Sequence, residues 1–271
     1  AVRTRERDGF SLTHADFARA VSHGRLKAFL LSNPCNPTGA VIRGADLNAM
    51  LRTARERSCT LLLDEFYSHY IWRTVDGAQV PIVSAAAYVE DVEKDPVVIF
   101  DGLTKNWRYP GMRISWTVGP RQVIEAVASA GSFLDGGGSR PAQQAAIPLL
   151  DDGVIDSETQ AIRRAFSTKR AFLLDALGKL GVTVDLATEG GFYVWGSVAN
   201  LPDGLNDGMT FFQRALEQKV ITVPGQFFDI NPGNRRQGRT SRFERHLRFS
   251  FGPRLDVLQT AVERLGALVR S

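Results

Sequence analysis

Three short apolar runs, each followed at once by polar residues, constrain the fold of this 271-residue chain most strongly. They span residues 28–32, 59–63 and 97–100, and the second and third end directly at Asp64 and Asp101. Continuous rather than alternating hydrophobicity is typical of strands that are buried on both faces of a parallel sheet. Amphipathic helical patterns separate the runs. The sequence therefore predicts an α/β fold, with a mostly parallel central sheet flanked by helices.

The last third of the chain has a different pattern. A long helical stripe covers about residues 157–180, and strand-like segments follow at 191–195 and 247–251, alternating with further helices. This alternation is typical of a smaller α+β unit. We therefore expect a large domain over residues 1–155 and a smaller C-terminal domain over residues 156–271 that includes the long connecting helix.

Composition narrows the function classes. The 33 basic and 29 acidic residues give a net charge of +4, which is a small excess for a protein that binds nucleic acid. No apolar stretch approaches the roughly 18 residues that a membrane helix needs. Two cysteines in a chain of this size indicate reduced thiols and a cytoplasmic location. The four histidines lack the spacing of a metal site, so we expect no metal.

The most informative polar residues lie just after the predicted strands, where open α/β sheets bind their ligands. Asn36 belongs to an Asn-Pro-Cys-Asn-Pro-Thr-Gly segment. This segment either forms only a turn or places the side-chain amide of Asn36 at the end of the strand, where it could bind a ligand. Asp64 needs a cationic partner there, or it caps a helix. Lys105 is either a surface residue or an amine that attacks a carbonyl, and Arg113 follows it eight residues later.

The order and spacing of these segments resemble one family. Asn-Pro-x-Asn-Pro-Thr-Gly, Asp-x-x-Tyr, a lysine with an arginine eight residues later, and a late Arg-Phe-Ser-Phe occur in that order. The chain is thereby similar to the fold-type I, class I/II aminotransferases, which use pyridoxal 5′-phosphate (PLP). The resemblance runs over about residues 11–268. Segments 190–195 and 223–227 look like two further family segments at the edge of the active site.

The resemblance implies catalytic roles for Lys105, Asp64 and Tyr67, and a cofactor-binding role for these three residues and Asn36. Lys105 would hold PLP as a Schiff base and move the proton of the substrate's α-carbon. Asp64 would pair with the protonated pyridine nitrogen and so maintain the ring as an electron sink. Asn36 and Tyr67 would hydrogen-bond the phenolate oxygen of the cofactor and tune the pKa of the imine.

The resemblance also implies how phosphate and substrate are bound. Arg113 would meet the cofactor phosphate. Family members commonly carry a second phosphate contact, a serine, three residues before the lysine; Gly102 stands there instead, and Thr104 would supply the hydroxyl. Arg248 would clamp the substrate α-carboxylate through both arms of its guanidinium, and Asn36 would share this substrate site.

The implied activity is amino-group transfer between an α-amino acid and a 2-oxo acid by a ping-pong mechanism, in a homodimer. Other PLP reactions use the same residues, so a lyase, cyclase, decarboxylase or oxidase remains an alternative. The effector-sensing, aminotransferase-like domain of a transcription regulator is another alternative.

An arginine-rich segment bears on the choice of substrate. It includes Arg235, Arg236 and Arg239. They would favour acidic substrates if this segment folds over the site.

Two family parts have no counterpart in this sequence. The Gly/Ser/Thr phosphate-binding loop and the aromatic residue that stacks on the pyridine ring both precede the Asn-Pro segment in the family. Nothing in residues 1–32 resembles them. We therefore expect the chain to lack the N-terminal portion of a family member and, taken alone, to bind PLP weakly or hold it incorrectly.

Overall fold

The computed structural model describes residues 1–72, 74–75, 78–79, 82–184, 186, 188–231, 238 and 240–270. The helices in these ranges are α1 (His14–Gly24), α2 (Gly44–Arg57), α3 (Arg121–Leu134), α4 (Arg140–Ala146), α5 (Asp152–Lys179), α6 (Gly208–Glu217) and α7 (Leu255–Arg270). The strands are β1 (Ala28–Ser32), β2 (Thr60–Asp64), β3 (Thr74–Val75), β4 (Ala78–Gln79), β5 (Val97–Gly102), β6 (Ser115–Val118), β7 (Tyr193–Ser197), β8 (Val223–Pro224) and β9 (His246–Ser250).

The main sheet has the strand order β1-β2-β5-β6. Strands β1, β2 and β5 are parallel, and β6 pairs with β5 in the antiparallel direction. The prediction of a mostly parallel sheet flanked by helices is confirmed. The carboxyl ends of β1, β2 and β5 meet at one edge, which we call the ligand edge, and the antiparallel β6 begins there with Ser115, opposite Gly102.

The helices that cover this sheet follow from the sequence pattern. The side chain of Thr13 accepts a hydrogen bond from Asp16 N and so caps α1. Phe17 of α1 packs in one buried cluster with Leu47 and Met50 of α2 and with the strand residues around Leu61.

The expectation that residues 28–32 form a strand buried on both faces was wrong. In β1, which is a terminal strand of the described sheet, Leu30 is 69% exposed.

The prediction that two strands end at Asp64 and Asp101 is confirmed for β2, whereas β5 continues by one residue to Gly102. Asp64 is the last residue of β2, paired with Ser32 and Phe100, and Asp101 lies within β5, opposite Trp116. The ladder hydrogen bonds to neighbouring strands extend each strand beyond its apolar run. Both carboxyl groups therefore start from backbone that the sheet holds rigidly.

A second, antiparallel sheet has the order β7-β9-β8 and packs under α5, α6 and α7. Helix α5 begins at Asp152, earlier than predicted, because Asp151 caps it through the N–H groups of Gly153 and Val154. The proposed domain division at residue 155 falls inside this helix and stays a prediction. Phe10, near the start of the chain, packs on Trp195 in the second sheet. In the part of the chain that the structure describes, no helix combines the length and apolar character needed to cross a bilayer.

Candidate active site

The loop after β1 is held in a defined shape by Asn33. Its side chain donates to Ile42 O and accepts from Ile42 N, both at 2.8 Å, and the residue is almost fully buried. The Asn33–Pro34 and Asn36–Pro37 peptide bonds are both cis. The loop sets Asn36 at the ligand edge, where its backbone N–H faces the hydroxyl of Ser32 at 3.4 Å.

Arg248 reaches this loop from β9 of the second sheet. Its Nη1 donates to Asn36 Oδ1 at 2.8 Å, a contact between residues 212 positions apart in the chain. The guanidinium lies 4.1 Å from the centre of the Tyr193 ring and 5.0 Å from that of Phe228. Nε is buried and has no hydrogen-bond partner among the described residues. Since Asn36 uses its amide oxygen on Arg248, its NH2 group is the end that remains for a ligand.

Tyr67 joins the same group of residues through a hydroxyl pair. Tyr67 Oη lies 3.1 Å from Tyr193 Oη. Burial raises the pKa of Tyr67, and the hydrogen bond with Tyr193 adds to the increase, while the charge of Arg248 opposes it. Tyr67 is therefore a neutral phenol that can donate one hydrogen bond. The sequence prediction did not include Tyr193 among the site residues, although it lies in segment 190–195, which already resembled the edge of the family's active site.

Asp64 presents a half-buried carboxylate at the ligand edge. Its Oδ1 accepts a hydrogen bond from Phe66 N at 3.2 Å. Residues 66–69 form a turn, so the alternative that Asp64 caps a helix is wrong. Burial raises the pKa of Asp64. No cationic side chain of the described residues pairs with it, although a carboxylate in such a place is stabilised by a positive charge.

The backbone around Lys105 is anchored from several sides. Its carbonyl accepts hydrogen bonds from the Tyr70 hydroxyl at 3.0 Å and from Arg108 N at 3.1 Å. The next residue, Asn106, is fully buried and donates to Asp101 Oδ1 at 2.9 Å and to Ser68 Oγ at 3.0 Å. Lys105 itself is half-buried, and its ammonium makes no hydrogen bond or ion pair with the described residues. The fold thus fixes the backbone of Lys105 and leaves its amine without a partner among the described residues.

The residues predicted to bind phosphate, Thr104 and Arg113, lie in the segment that joins β5 to β6. Arg113 adopts a left-handed conformation, with φ of 54°, and its Nη1 donates to Pro110 O at 3.0 Å. It is exposed and lines a cavity of about 690 Å³ together with Ser115 and the loop of Gly137 and Gly138. Thr104 is half-buried in the turn that follows β5.

The structure therefore brings some of the predicted site residues into contact but leaves others apart. Direct contacts join Asn36 to Arg248 and, through Tyr193, Arg248 to Tyr67. Asp64 is close enough to influence the pKa of Tyr67. Arg113 hydrogen-bonds to local backbone rather than to another predicted site residue. Residues 235, 236 and 239, to which we assigned a preference for acidic substrates, lie outside the described residues.

Comparison with known proteins decides the family. The family model for aminotransferase class I and II matches residues 1–265. The chain belongs to the class I and II aminotransferases. The resemblance inferred from the motif order is therefore confirmed.

Individual relatives agree with this assignment. The chain is 27% identical over 249 residues to an aspartate aminotransferase of Thermotoga maritima, which covers 92% of this chain and 57% of the relative. The structure of a Thermus thermophilus aspartate aminotransferase double mutant matches with a TM-score of 0.81 at 27% identity, over 98% of this chain and 63% of that one. N-succinyldiaminopimelate aminotransferase from Mycobacterium tuberculosis matches with a TM-score of 0.81 at 26% identity, over 98% and 64%. The chain thus spans about three fifths of the length of these relatives.

Proposed function

We propose that the protein is a PLP-dependent aminotransferase that moves an amino group between an α-amino acid and a 2-oxo acid. One observation carries the proposal: the contact between Arg248 and Asn36, made over the face of Tyr193. The buried Nε of Arg248 has no partner among the described residues. Arginine offers its donors in a planar fork that matches a carboxylate. The α-carboxylate common to amino acids and 2-oxo acids is a ligand of that shape and charge.

The residues around Asp64 fit PLP. When bound, the cofactor supplies an aldehyde and a cationic ring that withdraws electrons from the substrate's α-carbon. The half-buried, unpaired carboxylate of Asp64 suits the ring nitrogen, because a positive charge there would lower the pKa that burial raises. Tyr67 and the NH2 group of Asn36 offer hydrogen-bond donors for the oxygen substituent of the ring.

Each residue has a distinct task in this proposal. Lys105 would hold the cofactor aldehyde through its primary amine, and its Nζ, once the substrate's own amine has replaced it there, would take and return the proton of the substrate α-carbon. Arg248 holds the substrate carboxylate and thereby sets the orientation of the α-carbon. Arg113 would hold the phosphate together with a hydroxyl at the ligand edge, for which Thr104 is the candidate suggested by the sequence. A homodimer and a cytoplasmic location are further proposals that rest on the resemblance and the composition.

Amino transfer is favoured over the other PLP reactions by the relatives reported above, which are named as aminotransferases. A labelled-nitrogen experiment tests it. The protein is incubated with PLP, a 2-oxo acid and each of the twenty common amino acids carrying ¹⁵N. We expect ¹⁵N in a new amino acid, formed from the 2-oxo acid, with at least one donor, and none with Lys105→Arg. Failure of all twenty donors with the active protein would reject transamination.

A further inference from the structure

The pairing of β5 with β6 leaves no room for a side chain at position 102, where family members commonly carry a phosphate-binding serine. A Cβ on Gly102 would lie 2.6 Å from Ile114 O and 2.9 Å from Ser115 Cβ. Both distances are well inside an ordinary contact of about 3.5–4.0 Å. Ile114 O also accepts a hydrogen bond from Leu103 N at 3.0 Å, so it cannot withdraw without losing that bond. The usual serine does not fit this strand pair.

Ser115 fills the corresponding space from the neighbouring strand. It is the direct antiparallel partner of Gly102, and directly opposed residues of such a ladder place their side chains on the same face of the sheet. Because β6 begins at the ligand edge, Ser115 lies at the end of the sheet that carries Asp64 and Lys105. It is exposed and lines the 690 Å³ cavity together with Arg113.

We propose that Ser115 donates to the cofactor phosphate the hydrogen bond that position 102 cannot provide. The inference rests on the proposed PLP-dependent function and adds a residue to its site. A hydroxyl next to an arginine suits a phosphate, because phosphate oxygens accept several hydrogen bonds and charge strengthens each of them. Thr104, which the sequence analysis assigned to this task, is the competing hydroxyl.

A comparison of PLP with pyridoxal isolates the phosphate contact, because the two aldehydes differ only by that group. Each is titrated onto the full-length protein and fixed with borohydride, and the fraction modified at Lys105 is measured by peptide mass spectrometry, so no turnover is needed. The readout is the ratio of the two dissociation constants. We expect Ser115→Ala to lower the preference for PLP roughly tenfold, as for loss of a hydrogen bond to a charged group, with pyridoxal binding unchanged.

Three variants make the test specific. Thr117→Val removes a hydroxyl from the same face of β6, two residues further from the ligand edge, and should keep the wild-type ratio. Ser115→Cys keeps the size of the side chain but weakens the donor, and should behave like Ser115→Ala even if the alanine variant folds poorly. Thr104→Val should keep most of the preference.

The outcomes separate this inference from the proposed function. If Ser115→Ala and Ser115→Cys keep the wild-type ratio, or if Thr104→Val loses the preference in their place, the assignment of Ser115 is wrong. The assignment is also wrong if the wild-type chain binds both aldehydes at Lys105 with equal affinity. If the full-length protein forms no adduct at Lys105 with either aldehyde, the proposed function falls, and the assignment falls with it.

Discussion

Replacement of Glu65 by glutamine should remove a pH-dependent destabilisation of the fold. Glu65 follows Asp64 directly, is 3% exposed, and accepts a hydrogen bond from Ala85 N at 2.8 Å. Burial raises its pKa from an ordinary value of 4.5 to about 7. The folded state therefore holds this proton more tightly than the unfolded state does. Stability is highest below pH 4.5, falls as the pH rises toward 7, and changes little through this group above that pH.

The size of the effect follows from the shift in pKa. A difference of roughly 2.5 units, at about 1.36 kcal/mol per unit, amounts to about 3 kcal/mol above pH 7. Glutamine keeps the shape and the acceptor of the protonated side chain but does not ionise. Glu65→Gln should therefore gain up to about 3 kcal/mol over the wild type at pH 8, and far less at pH 5.

Urea unfolding followed by circular dichroism at pH 5, 6, 7 and 8 measures this difference. Asp101 also titrates in both proteins, with a pKa that burial raises to about 7. Because the charge of Glu65 contributes only a smaller part of that increase, the variant minus the wild type reports chiefly on Glu65. Glu56→Gln removes an exposed carboxylate from α2 and serves as the control for net charge. A difference between Glu65→Gln and the wild type that stays constant from pH 5 to 8 would refute the reasoning.

Two further predictions concern the strand pair and the substrate clamp. Gly102→Ala should destabilise the fold by about 1–3 kcal/mol in urea unfolding, because the new Cβ meets the β6 backbone. The control is Gly111→Ala, which should change stability little because nothing lies within 4 Å of a Cβ there. Equal losses of stability in the two variants would contradict the proposed clash at position 102. Arg248→Lys should raise KM for α-amino acids roughly tenfold or more, because an ammonium cannot reproduce a bidentate contact. Steady-state kinetics would measure this, with a primary amine that lacks the carboxylate as control, and an unchanged KM would remove Arg248 from the carboxylate site.

Much of the main sheet could be predicted because its signals are local. The apolar runs mark β2 and β5, and Thr13 with Asp16 marks the start of α1. The direction of β6 could not be predicted, since an apolar run has the same composition in a parallel and an antiparallel strand. The exposure of Leu30 depends on which strands pair beside β1, and that information is not contained in the run itself.

The site residues also differ in how far the sequence alone could predict them. Asn36 and Asp64 could be placed at the ligand edge because each follows or ends a strand. The role of Tyr193 could not be predicted, because its contacts with Tyr67 and Arg248 depend on how the two sheets meet. The exclusion of a side chain at Gly102 depends on the register of β5 against β6. The sequence suggested Thr104 for the missing hydroxyl, whereas the strand pairing favours Ser115, as we propose.

The position at which PLP attaches to the protein tests the proposed function most directly. The protein is incubated with PLP at limiting concentration, reduced with borohydride, digested and mapped by mass spectrometry. We predict that the adduct forms at Lys105, ahead of exposed lysines such as Lys94 and Lys179, and that Lys105→Arg removes this selectivity. Modification spread over the exposed lysines of the wild type, with Lys105 unmodified, would contradict it.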